Sequence, residues 1–79
     1  MSVLKRGSKG DDVRDLQNQL NKMGYGLSVD GDFGPGTEEA VKHLQTAFGY
    51  TVDGSVGDGT RFLINQQLGF GWNKDAPKG

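Results

Sequence analysis

Residues 29–41 read VDGDFGPGTEEAV, and residues 52–64 read VDGSVGDGTRFLI. Aligned without gaps, Asp30, Gly31, Gly34, Gly36 and Thr37 meet Asp53, Gly54, Gly57, Gly59 and Thr60, and Phe33 meets Val56, so the shared pattern is DGxxGxGT. Asp-Gly suits a tight turn because the carboxylate accepts a nearby backbone N–H and glycine tolerates positive φ. The apolar residue two places on is placed to plug a core, and the threonine sits one turn into the segment that follows. The pattern therefore predicts a turn, a plug and a helix start, written twice.

Periodicity supplies the rods on either side. Val13, Leu16, Leu20 and Met23 recur at intervals of three, four and three, one stripe of a helix over about residues 11–23. Asp11 or Asp12 is placed to cap its first N–H groups, and Gly24 to end it in the left-handed conformation. Pro35 suits a first-turn position, and Ala40, Val41, Leu44 and Phe48 share the face of a second helix, about 35–48, before Gly49. Leu63, Ile64 and Leu68 define a shorter third stripe, about 58–68, closed by Gly69. No long strand is expected, although Val29 and Val52, each before an Asp-Gly pair, are placed to form a short bridge. The expectation is an all-α, compact three-helix bundle with two similar DGxxGxGT loop-helix units. Residues 1–69 form the domain and 70–79, GFGWNKDAPKG less its first glycine, a flexible tail or linker.

Composition narrows the chemistry. At 79 residues the chain is one domain, and a core of that size rarely supplies more than about 3–5 kcal/mol. Nine basic and ten acidic residues are mixed along the chain, net −1, with no basic stripe for phosphates, so nucleic acid is not an expected partner. A mean hydropathy of −0.61 and the lack of a long apolar run exclude a membrane span, and the first ten residues show no signal-peptide core. The absence of cysteine removes disulfides and thiolate metal sites. His43, the single histidine, has no second histidine to share a metal and reads as a helix-surface residue. As a calcium loop, the segment from Asp30 fails at its fifth and twelfth positions, which are Gly34 and Val41. No lysine follows the glycines as a phosphate loop would need. No nucleophile and base stand in a defensible arrangement, so neither catalytic residues, metal nor cofactor is expected.

Taken together, GSKGDDVRDLQNQLNKMGY, VDGDFGPGTEEAVKHLQ and VDGSVGDGT resemble, segment by segment, the small three-helix peptidoglycan-binding domain of bacterial and phage cell-wall hydrolases. The resemblance covers about residues 3–68 and rests on a GxxGxxVxxLQxxL opening followed by two DGxxGxxT loops in fixed order. It departs in the second helix, where HLQ stands in place of the family's common aromatic before the glutamine. The resemblance implies a non-catalytic module binding the glycan and stem-peptide network of the wall in a shallow groove beside the loops.

Within that frame Tyr25, Tyr50 and Trp72 are amphipathic aromatics near turns, the two tyrosines equally placed to pack back on the helices they follow. Thr37 and Thr60 lie at helix starts whose N–H groups suit carboxylates, and Asp30 and Asp53 are acceptors for hydroxyls or amides. The candidate contact set is Tyr25, Asp30, Phe33, Thr37, Tyr50, Asp53 and Thr60, with Phe33, the plug of the first loop, included. The expected role is a monomer that targets a linked wall hydrolase, such as a C-terminal catalytic domain, to peptidoglycan; a holin would provide the exit if the source is a phage. The alternative is a protein-interaction or structural module on the same scaffold.

Overall fold

In the computed structural model, which describes residues 3–75, the chain forms α1 (Asp11–Lys22), α2 (Pro35–Ala47) and α3 (Asp58–Phe70). Each helix buries the stripe that its periodicity marks. Val13, Leu16 and Leu20 come from α1, Ala40, Val41 and Leu44 from α2, and Leu63 and Ile64 from α3. Met23 extends the first stripe past the helix end, and the plugs Phe33 and Val56 close the core from the two loops.

Three local expectations are corrected. The residue before α1 is Gly10, and no side chain caps that helix; Asp11 instead pairs with Arg14 at 3.1 Å. Asp11 and Asp12 lie inside the first turn, where a carboxylate favours the positive end of the helix dipole without bonding its N–H groups. Gly69 stays helical, and Gly71 takes the left-handed conformation at φ 72°. A glycine permits that conformation without compelling it; here the Trp72 N–H reaches Gln67 O at 3.0 Å while its indole meets Phe48 edge-on at 5.2 Å, and this apolar contact selects the later stop. Finally, Val29 and Val52 are exposed and make no bridge; the bridges join Leu4 to Val56 and Lys9 to Asp32.

Those bridges give the N-terminal segment a structural task. Leu4 and Val56 exchange both backbone bonds, at 3.1 and 2.7 Å. Further along, the Gly7 N–H donates to Phe33 O, the Phe33 N–H to Ser8 O and the Gly10 N–H to Gly31 O. Residues 4–10 thus run across both loops and hold them side by side. At the other end the Lys74 N–H donates to Met23 O at 2.8 Å, so the segment after α3 returns to the end of α1. Residues 76–79 of the expected tail lie outside the described residues.

Candidate functional site

The repeated loop is organised by two glutamines. Gln17, on the buried face of α1, donates from Nε2 to Asp30 Oδ1 (3.0 Å), Asp32 O (2.9 Å) and Thr37 Oγ1 (3.1 Å), and its Oε1 accepts the Gly31 N–H at 3.0 Å. Gln45, on α2, repeats the arrangement with Asp53 Oδ1, Ser55 O and Thr60 Oγ1, and accepts the N–H groups of both Asp53 and Gly54. Three oxygens share two amide protons in each case. Both side chains are about 1% exposed, and among the described residues no buried side-chain polar atom lacks a partner. The signal was present in the sequence as VRDLQ at 13–17 and VKHLQ at 41–45. Its meaning required the fold, because each glutamine finds its partners in the following loop.

These bonds also set the charge on the aspartates. The Asp32 N–H, and after it the Gln17 amide, hold the Asp30 carboxyl below its ordinary range; the Ser55 N–H and then Gln45 do the same for Asp53. A carboxylate with a lowered folded value contributes stability that is complete above its unfolded value, 3.8 here, and is lost as the pH falls through the folded one. The Asp30→Asn and Asp53→Asn variants keep an oxygen acceptor and lose the charge. Denaturant midpoints measured between about pH 2 and 7 should show parent and variants furthest apart at the neutral end and converging as the pH falls below 3.8 through the lowered folded value. A constant gap across that range would contradict the assignment.

Beside the first loop lies an open groove of about 340 Å³, lined by Tyr25, Leu27, Gly36, Glu39, Ala40, His43 and Lys74. A second hollow of about 250 Å³ adjoins it, sharing Leu27 and Gly36 and bounded further by Ser28, Asp30, Asp32, Pro35 and Thr37. Leu27 is fixed between them by Asn21, whose side chain accepts the Leu27 N–H and donates to its carbonyl at 2.8 Å. Glycine at position 36 keeps the junction open: a Cβ there would stand 3.9 Å from Leu27 Cδ2.

Tyr25 and His43 form the polar wall of the groove. The phenol oxygen lies 2.8 Å from His43 Nδ1, and the rings meet edge-on at 5.5 Å. Burial, and after it the Asp75 carboxylate, push the Tyr25 hydroxyl up to about 12, so it remains protonated at neutral pH. The direction of the bond follows the histidine tautomer: with Nε2 protonated, Nδ1 accepts from the phenol and Nε2–H is the ring's remaining donor. Glu39 and Lys74 bring a carboxylate and an ammonium to the same groove.

The seven residues expected from sequence are scattered by this geometry. Tyr25 lines the groove, and Asp30 and Thr37 border the adjoining hollow, although both are engaged by Gln17. Phe33, 2% exposed, is wholly a core plug and offers no surface to a ligand. Thr60 is buried on Gln45. Tyr50 and Asp53 belong to the second loop and line neither hollow. Leu27, Gly36, Glu39, Ala40, His43 and Lys74 were not expected; they come together from three separate stretches, and no motif joins them.

The chain matches, over residues 9–62, the family described as "Putative peptidoglycan binding domain". It is 46% identical over 48 residues to the spore cortex-lytic enzyme of Bacillus subtilis (strain 168), covering 60% of this chain and 16% of that enzyme. Among solved structures, the SleB N-terminal domain superposes with a TM-score of 0.79 at 41% identity, over 82% of this chain and 90% of that one. The Burkholderia AP3 phage endolysin superposes with a TM-score of 0.77 at 35% identity, over 80% of this chain and 24% of the endolysin. The chain thus spans under a quarter of the cortex-lytic enzyme and of the endolysin chain, and nearly all of the SleB N-terminal domain. With three helices, the two-loop arrangement and the family match in agreement, the chain belongs to the peptidoglycan-binding domain family.

Proposed function

We propose that this domain is the wall-targeting module of a cell-wall hydrolase, holding peptidoglycan in the groove between Tyr25 and Gly36 and carrying out no chemistry itself. The observation that carries the reading is the pair of open hollows beside the first loop, which share Leu27 and Gly36 in their linings. Neighbouring hollows open to the surface suit successive units of a polymer, whereas an enclosed pocket takes a small molecule. The non-catalytic part is supported by the family to which the chain belongs, described as a peptidoglycan-binding domain. Tethering then raises the local concentration of a linked catalytic domain on an insoluble polymer, so weak monovalent affinity suffices. The same proposal places the chain at the bacterial cell wall as a monomer, joined to a catalytic domain on its C-terminal side and, in a phage setting, released by a holin.

Gly36 supplies the test. It lies in the first turn of α2 without a positive φ, so a side chain is accepted by the backbone and improves helix propensity, yet projects into the junction of the two hollows. Gly36→Gln should keep the parent's helical circular dichroism and lower retention on purified sacculi by about tenfold or more, since overfilling a fitted contact costs on the order of 1–3 kcal/mol. Gly59→Gln, at the matching position of α3, where a Cβ would meet nothing within 4 Å, should bind like the parent. Undiminished co-sedimentation of Gly36→Gln would place the ligand elsewhere.

A further inference from the structure

The groove holds charges of both signs that do not neutralise each other. Glu39 has no ion-pair partner among the described residues, in contrast to its neighbour Glu38, which meets Arg6 at 3.2 Å and Lys42 at 3.9 Å. Lys74 lines the same groove, and its Nζ lies 2.9 Å from the Asp75 carboxylate. Asp75 is largely solvent-exposed, and such a pairing contributes little, so the ammonium remains available to a ligand. With Nε2 protonated, His43 adds a second donor one helical turn from Glu39. Leu27, Ala40 and the half-buried body of Tyr25 make the floor apolar.

Ligand chemistry can be sorted against this arrangement. A purely anionic group meets Lys74 favourably and Glu39 unfavourably, and a purely cationic group does the reverse. A neutral sugar leaves both charges without a counter-charge. A group carrying an ammonium and a carboxylate on one carbon satisfies both, with two donors for its carboxylate and one carboxylate for its ammonium.

Resting on the peptidoglycan-binding reading above, we infer that the groove recognises the zwitterionic amino acid end of a stem peptide, its ammonium at Glu39 and its carboxylate at Lys74 and His43. In a wall polymer this chemistry is offered by a diamino diacid whose side-chain end is not cross-linked. A lysine in its place offers the ammonium alone, and amidation removes the carboxylate charge. Discrimination between wall types then resides in Lys74 and His43, while Glu39 senses whether the amine is free.

Three soluble probes separate these contributions by titration calorimetry: a muramyl tetrapeptide with free meso-diaminopimelate at its third position, the same peptide with the side-chain carboxylate amidated, and the lysine analogue. The free diaminopimelate peptide should bind about three- to fivefold more tightly than either of the others, the scale of one exposed charge pair. Lys74→Met keeps the aliphatic stem and should make the free and amidated peptides equivalent. Glu39→Gln should weaken all three while preserving their order. Equal binding of the three peptides to the parent, or an unchanged preference in Lys74→Met, overturns the inference. Retention on sacculi is measured in parallel: sacculi held with no discrimination among peptides defeats the zwitterion site alone, whereas loss of both sacculi and peptides defeats the binding reading with it.

Discussion

Gln45→Leu is expected to leave the domain largely unfolded at 37 °C. The parent side chain is 1% exposed and satisfies the second loop from both ends of its amide, accepting Asp53 N–H at 3.2 Å and Gly54 N–H at 3.0 Å while donating toward Asp53, Ser55 and Thr60. Leucine fills a similar volume but leaves the buried Gly54 N–H, the Thr60 hydroxyl and the Ser55 carbonyl without that partner. Each group stranded out of water costs about 1–3 kcal/mol, so the three together cost about 3–9 kcal/mol, at least the whole of the roughly 3–5 kcal/mol net stability a core of this size supplies. Thermal melts by circular dichroism at 222 nm are the measurement. Gln45→Glu sharpens the result, because a carboxylate retains the acceptors, loses the donors and stands beside Asp53. Its defect should shrink as the pH falls and one oxygen regains a proton. A Gln45→Leu melt within about 2 °C of the parent would show that the network is not what holds the loop. Gln17→Leu should be costly by the same mechanism but somewhat less so, since its Oε1 receives one backbone N–H where Gln45 receives two.

Leu44→Ala is the second large expected loss, through packing alone. Leu44 is fully buried on α2, which closes the first loop-helix unit and leads into the second, and its side chain is part of the one shared core. Truncation removes the transfer free energy of three carbons and leaves a cavity that the close-packed surroundings only partly refill, a cost of about 2–5 kcal/mol. For a domain of this length the midpoint should fall by roughly 10–30 °C. Phe62→Ala on α3 removes a larger side chain that is 63% exposed, and the change should stay within about 0.5 kcal/mol. Equal losses at the two positions would mean that burial in this structure does not describe the folded protein in solution.

The two substitutions probe layers that differ in how readily sequence reveals them. Leu44 was legible as core because a side chain every three or four residues is a local property of one helix, independent of what lies opposite. Gln45, its immediate neighbour, reads as an ordinary polar residue at the edge of that stripe. Its role exists only because the Asp53 loop folds back onto α2 eight residues later. The helix ends show the same division. Gly24 and Gly49 stop their helices as turn chemistry predicts, with φ of 96° and 72°, whereas the choice between Gly69 and Gly71 was made by the contact of Trp72 with Phe48.

By itself the sequence determined the three amphipathic rods, the duplicated DGxxGxGT corner between them and the family, because each is encoded in spacings of a few residues or in fixed order along the chain. Only the tertiary structure decided which side chains line the hollows beside the first loop. Thr37 and Thr60 are buried on the two glutamines, Asp30 and Asp53 each bond one of them while staying exposed, and Lys74 reached the groove only because the segment after α3 returns to Met23. A groove is an arrangement of surfaces distant in sequence, here residues 25–27, 36–43 and 74, and no local pattern records which of them the packed core will bring together.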